Sequence, residues 1–214
     1  MSNFAEQLAV RRGVTAIIGG GGKTTLLYRL AKELSVQGTV IVTATTHIFA
    51  PADLPISETG AMPQPILCVG TPCGDGKLTA PRQAMSELAA LADYVLVEAD
   101  GAKRLPLKAH APHEPVVPAE ANQVICVVGA SGLNGRVSET VHRPELFAAR
   151  TGETTFATPA AVARLLLMEG LPTRLLINQV DTPERAAAAR ELAELLPCPC
   201  VLAALQKGEI LCSF

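Results

Sequence analysis

Continuous apolar runs alternate with segments in which apolar residues recur every three or four positions. The runs are Val14–Ile18, Thr39–Thr43, Ile66–Val69, Tyr94–Glu98, Gln123–Val128, Arg174–Asn178 and Cys200–Ala204. The helical pattern covers Thr24–Gln37, Pro81–Leu91, Arg143–Arg150, Pro159–Glu169 and Pro183–Leu195. Runs without polar alternation are the mark of parallel strands covered on both faces. The order of elements predicts an α/β fold, doubly wound around a mostly parallel sheet. No repeat or low-complexity linker divides the chain, so one domain over 1–214 is expected. Proline-rich stretches at 51–65 and 106–118 are too long for simple connectors, and such loops are often functional. Ligands of these sheets lie beyond the carboxyl ends of the strands, so the residues after each strand are the candidates.

The first strand is the most informative. Val14–Ile18 breaks into Gly19, Gly20, Gly21 and Gly22, followed by Lys23, Thr24, Thr25 and a helical pattern. Strand, glycine turn, Gly-Lys-Thr and helix form the phosphate-binding arrangement of P-loop nucleotidases. Glycines let consecutive N–H groups curl toward an anion, and the helix start adds its positive end. Lys23 reaches the β- and γ-phosphates in this reading, Thr24 holds Mg²⁺, and Thr25 contacts the α-phosphate. The usual spacing places a glycine where Ile17 stands, so the loop is two residues shorter than the standard form. The fold expectation becomes a P-loop NTPase-like three-layer sandwich.

Other strand ends add chemistry. Glu98 and Asp100 follow Tyr94–Val97 and lie two apart, so an extended chain points both to one side. Either acid positions Mg²⁺ opposite the phosphates, directly or through water. Thr45, Thr46 and His47 follow the second strand; they hold Mg²⁺-bound water, the γ-phosphate or a substrate, or they form a capped loop with a packing histidine. Asn178-Gln179-Val180-Asp181 resembles the Asn-Lys-x-Asp guanine-reading motif of GTPases. There the aspartate accepts from the base N1 and N2 groups, the asparagine holds neighbouring loops, and the second residue packs over the base. The next strand ends in Ala203-Ala204-Leu205, where GTPases offer N–H groups to the base oxygen. A helix N-terminus capped by Asp181 or Thr182, with Pro183 in the first turn, is compatible with this.

The loop after Asp100 carries Lys103, Arg104, Lys108, His110 and His113. Lys103, Arg104 or Lys108 stabilises transferring phosphate charge in the catalytic reading. His110 and His113 are weighed as metal ligands against plain surface residues. Gly132–Arg136 with His142-Arg143 takes either a phosphate or substrate role or ordinary surface positions. Net charge is −2 with no basic block, which points away from nucleic acid and anionic membranes. The N-terminal residues lack an apolar signal core, and no apolar run approaches membrane-crossing length, so a cytoplasmic setting is expected. Six cysteines are scattered; Cys198-Pro199-Cys200 is the one close pair, read as buried strand thiols ahead of a metal or redox site.

Five segments together resemble the selenium-dependent molybdenum hydroxylase accessory proteins, the YqeC-like family. They are GGGGKTT at 19–25, TATTHIF at 43–49, VEADGAKRLPLKAHAPHEPVVP at 97–118, VHRPELF at 141–147 and LINQVD at 176–181. The resemblance implies a P-loop nucleotidase that helps mature a molybdenum enzyme carrying labile selenium. Against such a protein the C-terminal GEILCSF is abrupt, so a short or absent last element is expected.

The reading is an Mg²⁺-dependent nucleoside triphosphatase, GTP favoured over ATP. Nucleotide contacts fall to Gly19, Gly20, Gly21, Gly22, Lys23, Thr24, Thr25, Asn178 and Asp181. Catalysis falls to Lys23, Glu98, Asp100, Lys103 and Arg104; the metal to Thr24, Glu98 and Asp100; and a substrate to Thr46, His47, Lys108, His110 and Arg143. Candidate partners are the nucleotide, a molybdenum hydroxylase or its cofactor, and a second copy of the chain. The competing readings are a phosphoryl or nucleotidyl transferase acting on a cofactor precursor, and a nucleotide-holding scaffold without turnover.

Overall fold

The computed structural model describes residues 3–61, 64–170 and 172–214, so positions 62 and 63 of the first proline-rich stretch lie outside the described residues. The chain divides into two compact units. The first takes Met1–Ile18, Thr24–Gly101 and Pro115–Val124; the second takes Gly19–Lys23, Ala102–Glu114 and Ile125–Phe214. Both are mixed α/β with mostly parallel strands.

Nine of the strands, in chain order, are β1 (Gly13–Gly19), β2 (Val40–Ala44), β3 (Ile56–Ser57), β4 (Ile66–Val69), β5 (Tyr94–Glu98), β6 (Ala121–Gly129), β7 (Arg174–Asn178), β8 (Cys200–Ala204) and β9 (Glu209–Ser213). In the first unit five strands run in the order β1-β5-β2-β4-β3 with parallel pairings, and Ile48–Phe49, Lys77–Thr79 and Thr71–Pro72 form a separate antiparallel sheet. Each β2 and β5 residue is buried, as unbroken apolar runs require. Val14, Ile41, Leu67, Val69, Val95 and Val97 form a core with Leu88. Leu88 comes from helix α3 (Met85–Leu91), which starts four residues after the expected Pro81. The chain before it is held outside the helix by Gln83, whose side-chain oxygen accepts the Gly60 N–H at 2.6 Å. A short helix α1 (Phe4–Gln7) precedes β1, and α2 (Lys23–Leu34) follows the glycine loop. Leu26, Leu27, Leu30, Ala31 and Leu34 make the buried stripe of α2. That helix stops three residues short of Gln37, where Gly38 and Thr39 turn into β2 and Thr39 N–H donates to Asp93 at 2.8 Å.

In the second unit β6, β7 and β8 are parallel neighbours, and β9 pairs antiparallel with β8. Exposed and half-buried positions alternate along β9. Helices α4 (Val137–Thr140), α5 (Pro144–Thr151), α6 (Pro159–Glu169) and α7 (Pro183–Glu194) complete the unit, with α6 packed on α5 and α7. Thr158 and Thr182 cap α6 and α7 through their side chains, each ahead of a proline at the first position. A two-stranded parallel ladder joins Leu107–Lys108 to Val141–His142. All six cysteines are free thiols. Cys200 is buried in β8, its Sγ donating to the Cys198 carbonyl at 3.2 Å; the neighbouring Cys200 thiol lowers the pKa of half-buried Cys198 to about 7. Among the described residues no helix is long and apolar enough to cross a membrane.

Candidate functional site

Only Gly20, Gly21 and Gly22 separate β1 from α2. In the second unit, Gly20 N–H donates to Val127 O at 2.8 Å and Gly21 N–H to Leu105 O at 3.1 Å. These two amides are tied to neighbouring backbone. The Gly22 N–H has no hydrogen bond among the described residues. The glycines are demanded by close approach. A Cβ at Gly20 would lie 2.7 Å from Leu105 O and 2.9 Å from Pro106 O. At Gly22, with φ +130°, it would lie 2.5 Å from Asn178 Nδ2. Lys23 is buried, and its Nζ donates to Gly19 O at 2.7 Å, curling back over the loop.

Asn178, at the end of β7, fastens this loop. Its Nδ2 donates to Gly21 O at 2.7 Å, and its Oδ1 accepts Leu205 N–H at 2.9 Å. Leu205 N–H is therefore bonded to Asn178, and Gln206 is the next amide without a partner among the described residues. Gln179 stands at φ 63°, and its side-chain oxygen accepts from Ser131 Oγ at 2.5 Å. Of the two capping candidates for α7 it is Thr182 that caps, at 3.3 Å from Arg185 N. The Asp181 carboxylate stays one-third exposed and pairs with Arg185 at 3.3 Å.

Two of the three metal candidates meet in the first unit. Thr24 Oγ1 donates to Glu98 Oε2 at 2.8 Å. Glu98 is buried at the end of β5, and Asp100 is fully buried two residues on. A cleft of about 590 Å³ runs along α2, lined by Thr24, Thr25, Tyr28, Arg29, Lys32 and Glu33. Burial holds the Tyr28 phenol above its ordinary pKa, with Cys68 and Glu98 adding to the effect, and its hydroxyl donates to Phe49 O at 3.2 Å. Thr45 Oγ1 donates to Val116 O at 2.8 Å. Thr46 Oγ1 is buried with no partner among the described residues, and His47 is exposed. No group of three His, Cys, Asp or Glu side chains among the described residues forms a metal cage of its own.

The loop after Gly101 separates into different environments. Lys103 and Arg104 are exposed, at φ 48° and 63°. Lys108 is buried, with its Nζ 3.0 Å from Glu114 Oε2, and Arg143 donates to the same oxygen. Burial would raise the Glu114 pKa, but its bonds to Arg143 and Lys108 outweigh that and hold it at about 2. His110 is buried with Nδ1 2.6 Å from Glu169 Oε2, a carboxylate that Arg150 also contacts, whereas His113 is exposed. The two histidines weighed together as ligands thus occupy unlike surroundings. Glu114, Ser131, Arg150 and Glu169 were not singled out in the sequence. Glu114 alone had a visible signal, its place in the cationic loop.

The YqeC protein family matches residues 15–145 of the chain. A curated relative, "Uncharacterized protein YqeC" of Escherichia coli (strain K12), is 37% identical over 164 residues. That match covers 69% of this chain and 64% of the relative's length. The glycine loop from Gly19, the strand-end acids and the cationic loop all fall inside the family match, and the chain belongs to the YqeC protein family.

Proposed function

We propose that this protein is an Mg²⁺-dependent P-loop nucleoside triphosphatase, GTP preferred, acting as an accessory factor in the maturation of a selenium-dependent molybdenum hydroxylase. The hydrogen bond of 2.8 Å between Thr24 and Glu98 carries the reading. It joins the hydroxyl that follows the P-loop lysine to the carboxylate at the end of the acidic strand. These are hard oxygen donors of the kind Mg²⁺ takes, and they are few. Mg²⁺ commonly uses one or two carboxylates and completes its octahedron with phosphate oxygens and water. Thr24 and Glu98 would hold the ion, with Asp100 as the second acid. Lys23 and the amides from Gly22 onward would hold the phosphates.

Asp181 supports guanine: its one-third exposed carboxylate lies three residues beyond the strand whose Asn178 fastens the loop. The molybdenum part of the reading rests on the family resemblance alone. The test is triphosphate binding and turnover, with and without a molybdopterin-type acceptor. Free phosphate without acceptor is the expected result. Turnover only with acceptor would make the protein a transferase, and tight binding without turnover a scaffold. Lys23→Ala should lower triphosphate affinity by about tenfold to hundredfold through loss of a charge-assisted contact. Equal binding by parent and variant would overturn the P-loop reading.

A further inference from the structure

Pro199 stands between Cys198 and Cys200 at the entrance to β8. A proline has a fixed φ and holds the residue before it extended, so the backbone from Cys198 to Cys200 has few alternatives. Neighbouring segments secure its inner end. Pro199 O accepts Leu175 N–H at 3.0 Å, and Cys200 exchanges two backbone bonds with Phe214, at 2.9 and 3.2 Å. Cys198 lies just outside this ladder and is half-buried, whereas Cys200 has 0% exposure. The Cys200 thiol turns back toward residue 198, its Sγ donating to the Cys198 carbonyl at 3.2 Å. Two steps of strand cover about 6.6 Å, inside the span of about 4.4–6.8 Å that a disulfide bridges.

Packing alone does not account for this pair. A buried thiol behaves as a small apolar group, and Cys68 is such a case: buried in β4, it is pushed up to about 12. Cys198 moves the opposite way. The neighbouring Cys200 thiol lowers it to about 7 against the upward push of burial, while Cys198 and burial together raise Cys200. The more accessible sulfur is thus the one favoured as thiolate, and the buried one keeps its proton. That is the division of labour between a thiol that attacks and a thiol that resolves.

We propose that Cys198 and Cys200 form a reversible thiol–disulfide site whose substrate is a low-molecular-weight disulfide of the glutathione kind, with Cys198 attacking and Cys200 resolving. The site is independent of the nucleotide reading. The Cys198 thiolate attacks one sulfur of the reagent; the reagent S–S bond breaks, one thiolate leaves and takes up a proton, and a mixed disulfide stands on Cys198. Cys200 then gives its proton to solvent and attacks Cys198 Sγ. The mixed disulfide breaks, the second reagent thiolate leaves and takes up a proton, and a Cys198–Cys200 disulfide remains. Two protein thiols are oxidised, and one reagent disulfide is reduced to two thiols.

The test equilibrates the reduced full chain with glutathione disulfide, blocks the remaining thiols with iodoacetamide and maps tryptic peptides by mass spectrometry. Both cysteines fall in the peptide 191–207, and Cys212 falls in the next, 208–214. The expected 191–207 has lost two hydrogens, carries no glutathione, and regains both thiols in dithiothreitol. Cys73 is exposed and lies in the other unit, so it should stop at the mixed disulfide and serves as the internal comparison. Cys200→Ala should raise glutathione on Cys198 tenfold or more, because the resolving step is gone. Cys198→Ser should leave Cys200 unmodified; at a half-buried position outside the ladder, it keeps the test decisive if Cys200→Ala fails to fold. A 191–207 peptide that stays reduced while Cys73 is modified would overturn the proposal. So would glutathione retained on Cys198 of the parent, or a linkage from either cysteine to Cys212.

Discussion

Replacing Asn178 by alanine removes both ends of a bridge inside the second unit. The Gly21 carbonyl loses its donor at 2.7 Å, and the Leu205 amide loses its acceptor at 2.9 Å. The side chain is buried, so water does not readily take its place. Each orphaned group costs about 1–3 kcal/mol, giving about 2–6 kcal/mol for the pair. For a chain of this size that is a fall in Tm of about 4–24 °C. Thermal and urea unfolding of Asn178→Ala measure it directly. Asn178→Asp keeps the acceptor for Leu205 but sets a carboxylate against the Gly21 carbonyl, so it should not recover the loss. A double-mutant cycle adds a sharper check. A methyl at Gly22 would meet Asn178 Nδ2 at 2.5 Å, and that clash vanishes once Asn178 is alanine. Gly22→Ala should therefore cost less in the Asn178→Ala background, by about 0.5–3 kcal/mol. A loss below ~0.5 kcal/mol in Asn178→Ala, which is the ordinary size of a surface change, would refute the bridge.

Asp181→Asn should shift preference from GTP toward xanthosine triphosphate, because the amide supplies a donor for the xanthine oxygen; the mismatch is worth about 1–3 kcal/mol in competition binding. Equal affinities for GTP, ATP and CTP in the parent would end the guanine assignment. Glu98→Gln should weaken the Mg²⁺-dependent part of triphosphate binding, and comparison with Asp100→Asn by titrating Mg²⁺ identifies the coordinating acid; unchanged dependence in both removes this strand end from the site. Glu114 has a folded pKa of about 2 against an ordinary 4.5, so its stabilising contribution is complete above about 4.5 and is lost as pH falls toward 2. Glu114→Gln should flatten that part of the parent's stability profile, read by denaturation at successive pH values, and an unchanged profile would contradict the ion-pair assignment.

What the sequence made legible was local. Ile66–Val69, Tyr94–Glu98, Arg174–Asn178 and Cys200–Ala204 stand at their expected bounds, because an unbroken apolar run of that length has few alternatives to a buried strand. Pro159 and Pro183 mark their helix starts because a threonine cap and a proline's fixed φ act within one turn. The expected start of α3 failed because Gln83 bonds to a residue 23 positions away, which no local window contains. The terminal strand β9 has only half-buried alternate positions, too faint a pattern to separate from a loop. The candidate site divides the same way. Gly19–Thr25 stands out because its glycines, lysine and threonines are contiguous, and Glu98 because it closes an apolar strand. The pairing of His110 with Glu169 spans 59 positions, and nothing in either neighbourhood announces the other.

The bridge from Asn178 to Gly21 spans 157 positions, and the amides of Gly20 and Gly21 are held by Val127 and Leu105. Leu105, Val127 and Asn178, the long-range ties of the loop, are all translated after it. A nascent chain that has not yet delivered Asn178 lacks the last of these ties. Contacts of such long sequence separation form late because the closure entropy precedes the gain. A truncated product that carries the whole glycine motif but stops before Asn178 would lack a finished loop.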